Sequence, residues 1–393
     1  MADRDGAPEA SEFSGMVRVD PVERKKRGVA KAVSQDNRVH NRALVLRTLY
    51  QRGPMSRSDL ARASKLTRPT VSTLIAELLE EGLITDVGVR AEHRIGKPAT
   101  LLQIDDHAMN ILAIDLSDAQ RMVGAVCNLR GEILERVALD VDGALGQLAY
   151  ERVVDLGRML LEHTSKPVLG MGIGTPGIID DEGTVRFGQH VHWADLPLAQ
   201  RLTEEFSIPV VVGNDIGMAA LGVLHFRGVG RRDLIVISVN GAVGMGVVVG
   251  GKLIEGENFA AGEIGHLTID EHGDVCRCGR RGCLEVYITA AHAVAGVHDI
   301  SEKQRDRTLS DAGHALGILV APIAIGLDLS KVIVVGPTDL VTEEFIDAAV
   351  ETTNNRMLPV INTTVDVVPL AGDTDLILLG AASRVLSKEL GVM

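Results

Sequence analysis

The stretch HLTIDEHGDVCRCGRRGCLE, residues 266–285, holds three of the four cysteines in the chain, all between Cys276 and Cys283. Such crowding fits a disulfide framework or a metal site. No run of about 18 apolar residues is present to suggest a membrane span. The opening MADRDGAPEASEFSG has no apolar core of a secretory signal. A cytoplasmic protein with reduced thiols is therefore expected, and metal binding is the stronger reading of the cluster. Reduced thiols in a core fit less well, because Arg277, Arg280 and Arg281 stand beside them. The segment is polar and glycine-rich, so burial alone could not fix its shape. His266 and His272 are both candidate nitrogen ligands by spacing.

The 393 residues are enough for two or three domains. With 46% hydrophobic but only 3% aromatic residues, the cores must be built from Val, Ile, Leu and Ala. The net charge of −13 is unevenly spread. Residues 1–104 hold 18 Lys+Arg against 13 Asp+Glu, and the remainder 22 against 40. Between Arg24 and Arg68 the count is 13 basic to 2 acidic. A basic segment on an acidic body points to local contact with a polyanion.

That basic segment has the pattern of a winged helix-turn-helix over 38–104, after a disordered basic arm at 1–37. Leu44, Val45 and Leu49 give helical periodicity up to Gly53-Pro54. Ser56 can cap a short second helix, with Asp59 as its capping-box acid. Thr67 can cap a third, with Pro69 in the first turn and Val71, Leu74, Ile75 and Leu78 as one apolar stripe. LITDV and TLLQI read as the two strands of a wing, whose loop carries Arg90, Arg94 and Lys97. The third helix would enter the DNA major groove by its N-terminal end. Candidate DNA contacts are Ser56, Arg57, Thr67, Arg68, Pro69, Thr70, Ser72, Thr73, Arg94 and Lys97.

From residue 110 strands and helices alternate, which indicates an α/β architecture. Three strands (NILAIDLSD, RMVGAVCNL, ERVALDV) precede a helix, a strand VLGMGIG, a strand PVVVGND and a helix. The order then restarts at DLIVISV. Two related lobes are expected, 105–230 and 231–393, the last helix being free to return to the first lobe. A cleft between lobes would suit a small ligand.

GIGTPGIID (172–180), Asn214-Asp215 opening a helix, GEIGH (262–266) and CRCGRRGCLE (276–285) together resemble the ROK family. That family joins sugar kinases and sugar-responsive repressors on an actin-like, ribonuclease H-like two-lobed fold. Its repressor branch, which includes xylose, glucose and N-acetylglucosamine repressors, adds an N-terminal winged helix. The resemblance implies one structural zinc per subunit on His266, Cys276, Cys278 and Cys283. It also implies an effector, a sugar or sugar derivative, bound by Gly177, Asn214, Asp215, Glu263, His266 and Glu285. A duplex DNA operator, palindromic for a homodimer or a dimer of dimers, is the expected partner, and no membrane is.

Two functions compete: a sugar-responsive repressor, and an ATP-dependent sugar kinase with an added DNA-binding domain. A kinase would use Asp215 as general base and needs glycine loops against the phosphates. In the family the first loop reads Asp-x-Gly-Gly-Thr. Here it is IDLSDAQ, with Ser117 and Asp118 in place of the glycines. The second, Gly-Thr-Gly-x-Gly in the family, is NGAVGMG, with Asn240 and Ala242. The usual Gly-Gly near the adenine pocket is Gly336-Pro337. No catalytic residue is therefore assigned. Ile216-Gly217 after Asp215, and the missing asparagine before Trp193, also depart from the family's sugar pattern.

Overall fold

A computed structural model describes residues 33–89, 100–188, 190–229, 232–297, 299–358 and 364–393. The expected basic arm up to 32 and the wing-loop residues Arg90, Arg94 and Lys97 lie outside the described residues. The described chain divides into two compact units, 33–229 with 375–393, and 232–374.

The first unit opens with helix α1 (Val33–Arg52), which starts inside the stretch read as the arm. Strand β1 (Met55–Ser56), helix α2 (Arg57–Ser64), helix α3 (Arg68–Glu80) and strands β2 (Ile84–Val89) and β3 (Thr100–Ile104) follow. The three strands pair in the order β1-β3-β2, a winged helix-turn-helix. Between α2 and α3 the turn passes through Lys65 at φ +58°. Val71, Leu74, Ile75 and Leu78 are buried, as the stripe on α3 required.

Strands β4 (Asn110–Asp115), β5 (Arg121–Cys127) and β6 (Ile133–Asp140) then form an antiparallel meander. Helix α4 (Gln147–Glu162) leads to β7 (Val168–Thr175), parallel to β4. A small sheet absent from the sequence reading follows, built of β8 (Ile178–Ile179), β9 (Val185–Gly188) and β10 (Trp193–Leu196). Helix α5 (Leu198–Phe206), β11 (Val210–Asn214) and α6 (Asp215–Phe226) complete the lobe. Its sheet order is β11-β7-β4-β5-β6.

The second unit repeats this plan. It contains β12 (Leu234–Ser238), β13 (Gly244–Val249), β14 (Lys252–Leu253), α7 (Leu284–Val294), α8 (Glu302–Leu327), β15 (Lys331–Val335), α9 (Glu343–Asn354) and β16 (Asp366–Pro369). The sheet order is β14-β13-β12-β15-β16, again an antiparallel edge followed by parallel strands. Among the described helices, α8 is the one long and apolar enough to cross a bilayer. Its Leu309, Ala312, Leu316 and Val320 are instead buried in this unit's own core. It begins at a Ser301 cap whose side chain accepts the Gln304 N–H.

The chain then returns to the first unit as α10 (Leu376–Val385), which runs into a π turn at Leu386–Leu390. Alternate glycines of β7 explain how α10 lies so close to the sheet. A Cβ at Gly172 would stand 2.3 Å from the Ala381 carbonyl oxygen, and one at Gly174 2.3 Å from the Ile377 side chain. With a period of two, Met171 and Ile173 face the opposite core. The glycines of GMGIGT thus serve helix-on-sheet packing. One apolar core runs from Val45, Leu46 and Leu49 of α1 through Ile111 and Ala125 to Leu378, Val385 and Leu390.

Candidate functional site

At the cysteine loop, the ligand atoms of His266, Cys276, Cys278 and Cys283 all lie within 4.8 Å of one another. Cys276 Sγ is 3.5 Å from His266 Nδ1, and Cys278 Sγ is 3.7 Å from Cys283 Sγ. A tetrahedral zinc, with bonds of about 2.3 Å to sulfur and about 2.0–2.1 Å to nitrogen, separates its donors by about 3.6–3.8 Å. The donor set and its spacing fit a closed four-coordinate metal. Backbone hydrogen bonds shape the loop: Cys276 N–H donates to Arg280 O (2.7 Å) and Ile269 N–H to Gly282 O (2.7 Å). His272 is outside the group; its backbone N–H donates to Asp270 Oδ1 at 2.9 Å.

The electrostatics suit a cation. Burial pushes the Cys283 thiol up to about 12, and the neighbouring thiols add to it. At Cys278 burial opposes ionisation, but the Arg280 N–H, the adjacent thiols and the Arg280 charge bring the pKa below the ordinary thiol value. Burial lowers His266, which keeps its ring neutral and able to donate a lone pair. Three thiolates this close repel one another unless a metal offsets their charge.

Glu285 lies in the first turn of α7, two residues after Cys283, and is buried. Its Oε1 accepts from Arg277 Nη2 at 2.9 Å and its Oε2 from Val243 N–H at 3.3 Å. Glu263 stands nearer solvent. The protein around it raises its carboxyl above the ordinary range, and the Glu285 charge adds to the shift. Solvent screens both effects. This unit therefore brings Glu263, His266 and Glu285 to the ends of the cysteine loop.

In the other unit, Asn214 caps α6. Its Oδ1 accepts the Gly217 N–H at 2.9 Å and its Nδ2 donates to Gly177 O at 3.1 Å. Asp215 is buried as the first residue of the helix, and its Oδ1 accepts the Ile216 N–H at 2.9 Å. Gly177 has φ +117°, and a Cβ there would meet Phe187 O at 2.1 Å. Its conformation is accounted for by that close approach.

The two loops that would cradle phosphate are closed on themselves. Asp115 Oδ1 accepts the Ser117 N–H at 2.8 Å, and Asp118 Oδ1 accepts the Gln120 N–H at 2.7 Å. In the second loop the Ala242 N–H donates to Asn240 O at 2.7 Å and the Val243 N–H to Glu285. His292 Nε2 stands 2.7 Å from Val239 O and 3.3 Å from Gly241 N. With a proton it donates to the carbonyl; without one it accepts from the amide. Either way the imidazole occupies the loop.

On the winged helix, Thr67 caps α3 by accepting the Thr70 N–H, and the two hydroxyls are 2.8 Å apart. Arg57, Thr67, Arg68, Pro69, Ser72 and Thr73 are exposed, and Thr70 is half-buried. Ser56 differs from the expectation of a DNA contact. It is buried, and its hydroxyl both caps α2 and donates to Asp59 Oδ2 at 2.8 Å. Part of the basic charge is also matched internally, Arg38 by Glu77 (2.6 Å) and Arg42 by Glu81 (2.6 Å). Sequence reasoning missed two groups at the sites, Arg277 beside Glu285 and His292 in the second loop. Both lie next to or on α7, a helix that the sequence reading did not separate from the metal loop.

The sequence pattern of the ROK family matches residues 111–386, and that of the MarR family residues 40–86. The xylose repressor of Caldicellulosiruptor bescii is 34% identical over 252 residues, which span 62% of this chain and 62% of that protein. The DNA-binding transcriptional repressor Mlc of Escherichia coli is 26% identical over 290 residues, 71% of this chain and 69% of its own. In fold, the chain is similar to a crystal structure described as a ROK family transcriptional regulator, a homolog of the E. coli Mlc protein. The TM-score is 0.77 at 21% identity, over 90% of this chain and 98% of that one. Since the ROK pattern runs from β4 to the π turn and takes in both repeated sheets and the cysteine loop, the chain belongs to the ROK family.

Proposed function

We propose that the chain is a sugar-responsive, DNA-binding transcriptional regulator, a repressor of genes for carbohydrate uptake or metabolism, which performs no phosphoryl transfer. The observation that carries the second half is the closure of both phosphate loops. A bound phosphate needs converging N–H donors. Those of Ser117, Gln120, Ala242 and Val243 already donate within the protein. The sugar-facing Asn214, Asp215, Glu263 and Glu285 are retained, and carboxylates are strong acceptors for hydroxyl donors. The repressor names of the relatives and the exposed N-terminal end of α3 support the first half.

His266, Cys276, Cys278 and Cys283 would hold one zinc, which supplies no chemistry beyond fixing the loop, since four protein donors leave no open position. The regulator would act in the cytoplasm, as a homodimer or dimer of dimers on a palindromic operator. An effector would act by preferring one conformation of the protein over another, and the coupling to DNA must be reciprocal.

The decisive assay is incubation with ATP, magnesium and D-xylose, then with other sugars, followed by detection of sugar phosphate. No turnover is expected. Turnover at ordinary enzyme rates that disappears in Asp215→Asn would establish the kinase reading instead. On the DNA side, Arg68→Ala is expected to weaken operator binding by about 1–3 kcal/mol if Arg68 reads a base edge. Selection from a random duplex pool identifies the operator, and a gel shift at fixed salt measures the variant. Unchanged affinity and selectivity would remove Arg68 from the interface.

A further inference from the structure

We propose that Arg277 is a positioning residue of the effector site, through which the metal loop holds Glu285. The inference rests on the sugar-binding reading above and goes one step further, to how the carboxylate is kept in place. Arg277 lies between two of the sulfur ligands, Cys276 and Cys278. With both neighbours on one metal, the backbone of Arg277 is anchored on either side. Its side chain sets Nη2 2.9 Å from Glu285 Oε1. The chain reaches Glu285 from the other direction through Cys283, a third ligand, two residues earlier. One carboxylate is therefore tethered to the loop twice, by backbone and by ion pair.

The carboxylate needs that tether. Its side chain is only 8% exposed, whereas that of Arg277 is 63% exposed. A buried carboxylate without a partner is costly, and Glu263 adds like charge nearby. The second oxygen is aimed at the Val243 N–H, in the loop that no longer suits phosphate. Gly265 leaves room for it, since a Cβ there would stand 2.5 Å from Oε2. With one oxygen against Arg277 and the other against Val243, the remaining lone pairs point in fixed directions. A sugar hydroxyl then meets a pre-oriented acceptor and need not order it on binding. Lysine could supply the charge but not the planar fork, so it should restore only part of the effect.

The test compares Arg277→Ala, Arg277→Lys and Glu285→Gln in the full chain. Zinc content, calorimetric binding of D-xylose, D-glucose and N-acetyl-D-glucosamine, and hydrogen exchange of the Val243 amide are measured. Arg277→Ala is expected to keep its metal and its sugar-free DNA affinity. It should bind the preferred sugar about tenfold more weakly, as suits loss of one charge-assisted hydrogen bond from a partly exposed donor. Its Val243 amide should exchange faster. Arg277→Lys should recover only part of both effects, and Arg277→Ala should add nothing in the Glu285→Gln background. Full metal with wild-type sugar affinity and wild-type Val243 protection would overturn the proposal. Loss of metal in Arg277→Ala would also overturn it, by showing that the arginine serves the loop itself. If the wild-type chain binds none of the three sugars, the effector reading fails separately, and the Val243 exchange still decides whether Arg277 positions Glu285.

Discussion

Cys278→Ser is expected to release the metal and, with it, the sugar response. Elemental analysis should fall from about one metal per chain to none, because a hydroxyl does not replace a thiolate as a zinc ligand. The effect is large because the loop has little else to hold it. Leu267 and Val275 are 46% and 60% exposed, and only Ile269 and Leu284 pack against the core of this unit, so burial anchors the loop mainly at its ends. Structural zinc in small modules provides roughly 10–16 kcal/mol of apparent binding free energy. Without it, residues 266–285 should become a protease-sensitive loop, and Glu285 should lose both tethers. Sugar affinity should drop by well over an order of magnitude, while gel-shift affinity without sugar is retained. Cys127→Ser is the control. That thiol is buried in β5, is pushed up to about 12 by burial, and is remote in sequence from the loop, so the metal should stay. A Cys278→Ser chain with full metal and an undiminished sugar response would refute the assignment.

Much of this arrangement could be read from local chemistry. Caps have short-range signatures, and those of α2 and α3 at Ser56 and Thr67 were legible because each depends on residues within three positions. The cysteine cluster that could hold a metal was legible for the same reason, as three cysteines fall within eight residues, whereas spacing alone left His266 and His272 both open. What could not be read depended on tertiary partners. Ser56 looked like a DNA contact, yet burial turns it toward Asp59. Arg38 and Arg42 counted toward a basic face until Glu77 and Glu81, 39 residues away, were found to pair with them. The first turns of α8, EKQRDRTL, show no apolar period because that end is largely exposed. The strands of the small sheet around Trp193 are only two to four residues long, too short to show a period. Their register is fixed by packing, for example by the Trp193 indole N–H donating to Gly146 O at 2.8 Å.

Deletion of residues 386–393 is expected to destabilise the winged helix together with the lobe that carries it. The segment looks peripheral in sequence, but Leu386, Leu390 and Val392 are buried in the core that contains Val45, Leu46 and Leu49 of α1. Burying each such side chain contributes roughly 1.5–3 kcal/mol, so the loss is about 5 kcal/mol or more. That is comparable with the whole stability of an ordinary domain, about 5–15 kcal/mol. The polar contact here is minor. Arg47 Nε donates to Gly391 O at 2.9 Å from an exposed side chain, and such a bond is worth about 1 kcal/mol at most. Arg47→Ala should therefore melt close to wild type. The deletion should lower the melting temperature of this unit by roughly 10–20 °C, given the size of the lobe. Operator binding should be lost at temperatures where the wild type is still folded, even though α3 is unaltered in sequence. Metal content should be unchanged, because all four ligands belong to the other unit. The comparison of the two variants separates the causes. If Arg47→Ala destabilised as much as the deletion, the hydrogen bond and not the apolar core would join the C-terminal segment to the DNA-binding domain. If the deletion melted like wild type, the shared core would be incidental to both.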